Sequence, residues 1–158
     1  MADAASIEEQ KQRGRSWAQG LAAVSGLALT ARVAREEPEG LLIAFEGEDA
    51  GLLIGRGGAG LDALQVLATH SLGGRGGARL HVLFDADGYR ARRENVLINL
   101  ARELADQVKA TGQEAVLDPL SAYERRIVHH ALQEISGVRT YSEGEEPERY
   151  IVIAPAGG

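Results

Sequence analysis

LLIGRGGAGLDALQVL, residues 52–67, sets Gly55, Gly57, Gly58 and Gly60 inside an otherwise apolar run. Glycine packs nothing and costs backbone entropy, so such a cluster implies unusual dihedrals or a neighbour pressed against bare backbone. Residues 49–54 read as a short helix, and Leu61, Leu64, Leu67, Ala68 and Leu72 line one face of a longer one. The glycines therefore join two helices. Three uses of that junction compete. A dinucleotide fingerprint is met formally by Gly55, Gly57 and Gly60, with Asp85 at the ribose. Its context is wrong: the segment before Gly55 is too short for a buried strand, and Asp85 stands 30 residues on rather than about 20. A P-loop fails because no Lys-Ser or Lys-Thr follows GRGGAG. The second use is a turn that only lets two helices cross closely. The third is a ligand-holding Gly-x-x-Gly turn, Gly55-Arg56-Gly57-Gly58.

The physics of the third use is specific. A turn without side chains lets a sugar–phosphate backbone approach. Its amides and the N-terminus of the next helix carry partial positive charge, and Arg56 adds a full one. Beside it Leu53, Ile54 and Leu61, with strand residues such as His81 or Leu83, form an apolar cleft for unstacked bases. Gly-x-x-Gly is the K-homology signature. IGRGGAGLDALQVL resembles the I-G-x-x-G-x-x-L-x-x-L-Q of bacterial K-homology domains. That resemblance implies single-stranded RNA, or single-stranded DNA, of about four nucleotides.

The rest of the chain supplies a matching order. Residues 6–25 predict a helix with Ser6 as N-cap and Gly26 beyond its end. Residues 27–35 alternate like a strand, residues 36–40 (EEPEG) predict a turn, and residues 41–46 a second strand. GGRGG, residues 73–77, is a loop before a third strand over 79–85. A long helix over 89–109 follows, with Leu97, Leu100, Leu104 and Val108 inward. Then come a short strand at 115–117, a helix starting at Asp118-Pro119 or Ser121 and ending at Gly137, and a hairpin of 138–142 with 149–153. The last residues, APAGG, are expected to fray.

Composition sets the outer bounds. At 158 residues the chain makes one domain or two small ones, and 44% apolar content suffices for a core. No cysteine means no disulfide, thiolate metal site or cysteine nucleophile. There is no apolar run of spanning length and no apolar signal segment near the start, so neither a spanning helix, nor membrane insertion through one, nor a secretory signal is expected. The net charge of −6 hides a pattern: residues 1–51 carry −4, residues 52–109 carry +2 and residues 110–158 carry −4. In the middle third Arg75, Arg79, Arg90, Arg92 and Arg93 face only Asp85 and Asp87, a local basic patch able to capture phosphate.

In SAYERRIVHHALQEISGV, Arg125 and His129 stand four apart on one helix face. In isolation that pair reads as a surface cation beside a partly buried histidine. Adjacent His129 and His130 point about 100° apart, which disfavours a shared metal. No nucleophile–base pair or catalytic carboxylate pair stands out, so no enzyme, cofactor or metal is expected. The wider context is more specific. GYRARREN at 88–95, LDPLSAYERRIVHHALQ at 117–133 and TYSEGEEPERYIVI at 140–153 together resemble the C-terminal half of the Jag, or SpoIIIJ-associated, family. In that family a K-homology domain precedes an R-x-x-x-H domain.

The resemblance implies an α+β chain. A type II K-homology domain over 1–87 (helix–strand–strand–helix–helix–strand, three-stranded sheet) is followed by an R-x-x-x-H domain over 88–158 with its own three-stranded sheet. It implies a bacterial RNA-binding protein of post-transcriptional regulation and cell-envelope or elongation control, with a small single-K-homology protein as partner. By position, Gly55, Arg56, Gly57 and Gly58 would hold the nucleic-acid backbone. Arg125 and His129 would make a second contact, with Arg126 nearby and Arg149 flanking from the hairpin. The acidic residues 143–148 read as a solvated turn. The competing class is a ribosome-associated or protein-binding assembly adaptor.

Overall fold

The computed structural model describes residues 2–38, 40–73 and 81–157, with side chains from residue 7 onward. The expected GGRGG loop, the start of the third strand at Arg79, and Arg75 lie largely or wholly outside the described residues. The chain divides into two units, Met1–Arg90 and Ala91–Gly158. Both are mixed α/β, each with one three-stranded sheet.

The first unit runs α1 (Ala2–Val24), β1 (Thr30–Glu37), β2 (Gly40–Glu46), α2 (Ala50–Ile54), a 3₁₀ turn (Arg56–Gly58), α3 (Ala59–Leu72) and β3 (His81–Ala86). β2 is central, antiparallel to β1 and parallel to β3. Leu41, Ile43 and Phe45 of β2 alternate inward and meet Phe84 and Ala86 of β3. Ala18, Ala50, Leu61, Leu64 and Ala68 from the three helices fill the same core, so all three cover one face of the sheet. Trp17 packs on Phe84 with ring centroids 5.3 Å apart.

Two polar devices fix this packing. Lys11 and Arg15 of α1 both reach Glu36 of β1, at 3.1 and 2.7 Å, and their hydrogen bonds hold the Glu36 carboxyl below its usual range. Glu36 thus belongs to the strand, not to the turn expected from EEPEG; only Pro38 is described in a turn there. Gln65 of α3 acts on the sheet edge. Its amide nitrogen donates to the Val82 carbonyl at 2.8 Å, and its oxygen accepts from Phe84 N–H at 3.0 Å.

The second unit takes most of α4 (Tyr89–Thr111), then β4 (Ala115–Val116), α5 (Ala122–Leu132), β5 (Val138–Glu143) and β6 (Tyr150–Pro155). Its sheet is antiparallel with β6 in the centre, in the order β4-β6-β5. Leu97, Ala101, Ala105 and Val108 of α4 pack with Val128 and Leu132 of α5 and with Ile151 and Ile153 of β6.

Several expectations shift. Ser6 lies inside α1, which begins at Ala2. β1 starts at Thr30 and is largely exposed, as suits a charged edge strand. The inward face of α4 is rotated: Ala101 and Ala105 are buried, whereas Leu100 is exposed. α5 starts after Ser121, whose hydroxyl accepts from Glu124 N–H while Glu124 reaches back to the Ser121 amide. It ends at Leu132, five residues before Gly137. APAGG does not fray as a unit: Ala154 is buried and pairs with Arg139 within the hairpin.

Candidate nucleic-acid interface

The four glycines that open the question divide their work. Added Cβ atoms at Gly55 and Gly60 would lie 2.8 Å from the Gly60 nitrogen and 2.3 Å from the Leu53 oxygen, so these two let α2 and α3 meet backbone to backbone. Gly58 has φ 86° and is buried under the Tyr89 ring, 2.7 Å from where its Cβ would be. Gly57 is different. Its φ of 60° also favours glycine, but a Cβ there would meet nothing within 4 Å. Bare backbone at Gly57 therefore faces open space beside the N-terminus of α3. Gly55, Arg56 and Gly57 are exposed, and Arg56 makes no ion pair among the described residues.

The cleft expected beside this turn is only partly assembled. Leu53 and Ile54 are half-buried against the core. Leu61 is 1% exposed and belongs to the core itself, so it offers no surface to a base. His81 and Leu83 are exposed, but they alternate with the inward Phe84 and so lie on the sheet face away from α2 and α3. Strand parity separates His81 from Ile54. Tyr89 is the residue missed here; GYRARREN flagged its segment but not its seat over Gly58.

Of the expected basic patch, Arg75 and Arg79 lie outside the described residues, and Arg90 and Arg93 are committed to structure. Arg90 donates to the Phe84 carbonyl at 2.8 Å and lies 3.7 Å from Asp62. The Asp85 carboxylate is buried, accepting from Ala86 N–H and Arg90 N–H at 2.8 and 3.2 Å. Arg93 pairs with Glu124 at 2.7 Å.

In the second unit α5 turns Arg125 and His129 toward the hairpin. Arg125 is 7% exposed and donates to the Leu120 carbonyl at 2.6 Å and to Glu146 at 2.5 Å. Residues 143–148 are therefore more than a solvated turn: Glu146 anchors the guanidinium. His129 is half-buried, with Nδ1 2.7 Å from the Thr140 hydroxyl and Nε2 3.2 Å from the Ser142 hydroxyl. Burial first, then the charges of Arg125 and His130, push its pKa below 6.5. A neutral ring donates through one nitrogen and accepts through the other, so the two hydroxyls satisfy it fully. Arg149 carries a buried Nε without a hydrogen-bond partner, while its carbonyl accepts from Leu120 N–H. Arg126 points to a different face and is exposed. The structure brings Arg125, Glu146 and Leu120 together, and His129, Thr140 and Ser142; it does not group Arg126 with them. Glu146, Thr140 and Ser142 were missed because residue spacing along α5 says nothing of the hairpin opposite.

The family model of the R-x-x-x-H domain matches residues 95–155. RNA-binding protein KhpB from Clostridium symbiosum is 41% identical over 110 residues, covering 70% of this chain and 50% of that protein. The KhpB proteins of Lactiplantibacillus plantarum and Bacillus subtilis are each 40% identical over 110 residues; they cover 70% and 68% of this chain, and 34% and 53% of their own lengths. The chain belongs to the Jag family. It spans between a third and about half of the length of these relatives. The R-x-x-x-H domain is a nucleic-acid-binding module rather than an enzyme family, and these relatives are named RNA-binding proteins. Among the described residues no group of three or more His, Asp or Glu side chains could hold a metal ion, and no helix is long and apolar enough to cross a membrane.

Proposed function

We propose that the chain binds single-stranded RNA, as the names of its relatives say of them, and that the turn at Gly55–Arg56–Gly57 carries the main backbone contact. The single observation that carries this reading is Gly57: a left-handed glycine with open space where a side chain would be, next to the start of α3 and to Arg56, which makes no ion pair among the described residues. Phosphate fits bare amides, a helix N-terminus and a guanidinium together. The helix–strand–strand–helix–helix–strand order, with β2 central and parallel to β3, supports a type II K-homology domain over residues 1–87. The family match over residues 95–155 supports an R-x-x-x-H domain over residues 88–158. Ile54 borders the turn and takes the apolar contact. A cytoplasmic role in post-transcriptional regulation, with a small single-K-homology protein as partner, follows from the family resemblance.

The deciding variant is Arg56→Asp combined with Gly57→Asp. Both positions are exposed, and Asp tolerates the left-handed region, so melting should move little. Affinity for short single-stranded RNA, read by fluorescence anisotropy, should fall tenfold or more, about 1.4 kcal/mol. A folded double variant that binds as the parent does rejects the turn as the contact. Exposed Leu52, Val66 and Leu67 on α2 and α3 favour a second reading, a protein-binding adaptor on the ribosome. Crosslinking in cells separates the two: short single-stranded motifs from many messages support the first, ribosomal RNA alone the second.

A further inference from the structure

α5 carries the Arg-x-x-x-His spacing twice, one residue apart: Arg125 with His129, and Arg126 with His130. One residue turns a helix face by about 100°. The first pair is taken up by the hairpin. The second lines an open groove of about 550 Å³ between α4 and α5, within the roughly 300–1,000 Å³ common for ligand sites. Ile98 of α4 and Ile127 of α5 give it an apolar floor, and Tyr123, 50% exposed, gives it an aromatic wall. Arg102 reaches it from α4 and Arg126 from α5, and neither makes an ion pair or a side-chain hydrogen bond among the described residues. Glu94 is the one acidic side chain on the lining, which leaves a net positive site.

We infer that this groove is a nucleotide subsite for single-stranded RNA. A base stacks on Tyr123 over the isoleucine floor, and Arg102 and Arg126 hold the flanking phosphates. The chemistry favours this occupant because one groove offers a π face, an apolar bed and two unpaired guanidiniums, the three things a stacked nucleotide uses. The signature pair Arg125 and His129 positions α5 against the hairpin, and the pair one residue on, with Tyr123, meets the ligand. The inference rests on the RNA-binding reading above, though not on the glycine turn.

The test uses the full chain and fluorescein-labelled rA12 and rU12, titrated by anisotropy at several salt concentrations. Arg102→Gln with Arg126→Gln should weaken binding about tenfold and lower the slope of log affinity against log salt by roughly 1.4, two lost phosphate contacts at about 0.7 each. Tyr123→Ala should lower affinity about tenfold with the slope unchanged, while Tyr123→Phe, which keeps the π face, should bind like the parent. If Tyr123→Ala melts early, Tyr123→Leu decides, since it keeps apolar cover and loses only the stacking face. RNA affinity and slope at parental values in the folded groove variants overturn the inference, and an acidic protein in the groove would give that result. If those variants bind normally while the Arg56→Asp, Gly57→Asp variant does not, the groove fails alone. No binding of either RNA by the parent chain overturns both readings.

Discussion

Arg56 sits in a turn whose neighbours have no side chains, and it makes no ion pair among the described residues. Arg125, in the first turn of α5, gives one nitrogen to the Leu120 carbonyl and another to Glu146. Both are the cations of the short motifs from which the proposed RNA-binding reading starts. One is left open, and the other is built into the fold. A motif thus locates a surface without saying which of its side chains faces the ligand. In the glycine turn the division runs between Gly57, which is open, and Gly58, which is covered. On α5 it runs between one Arg-x-x-x-His register and the next.

The comparison breaks most sharply at the glycines. Gly60→Ala places a Cβ 2.3 Å from the Leu53 oxygen, and Gly58→Ala drives one into the Tyr89 ring at a positive φ. Each should cost about 3 kcal/mol in urea unfolding. Gly57→Ala, into open space, should cost only about 1 kcal/mol, the left-handed penalty alone. Equal losses at Gly57 and Gly58 would mean that the turn is not divided as described. On α5 the contrast is smaller. Arg125→Ala leaves Glu146 and the Leu120 carbonyl without their donor and should cost about 2 kcal/mol. Arg126→Ala should stay within about 0.5 kcal/mol in the same measurement. Stability effects of similar size at both positions would erase the distinction between the two registers.

The smallest effect is the dependence on pH. The His129 pKa lies below 6.5 in the folded protein, so on acidification the unfolded chain takes up that proton first. The contribution of the neutral ring is complete above about pH 6.5 and is lost as pH falls through the folded value. Unfolding midpoints at pH 7.5, 6 and 5 should fall more steeply for the parent than for His129→Gln. Parallel profiles would remove His129 from the account.

The helix–turn–helix at residues 50–72, the strand order around it and the α5–hairpin sequence were readable because periodicity and glycine spacing are local signals. What the sequence hid is contact across elements. Leu100 looked inward on residue type, yet the α4 face that packs is set by Ala101 and Ala105, small enough for close approach by α5 and β6. His81 and Ile54 are each near the turn by element, but alternation in β3 sends His81 to the other face of the sheet. Arg90 and Arg93 read as part of a basic patch by count, yet Asp62 and the Phe84 carbonyl neighbour the first and Glu124 the second. For the candidate site, the sequence singled out the turn and the α5 segment as candidates, while the contacts of Glu146, Thr140 and Ser142 depend on where the hairpin lies against α5.

Gln65 carries a consequence for self-association. β3 ends its sheet, and an edge strand offers unpaired N–H and C=O groups to any passing chain. By taking the Val82 carbonyl and the Phe84 amide with one side chain, Gln65 behaves as a single residue of a missing fourth strand. A would-be partner strand finds the middle of that ladder occupied by the protein's own helix. The same amide ties α3 to β3 at a fixed height, so the glycine turn at the head of α3 is indexed to the sheet rather than left to slide with the helix.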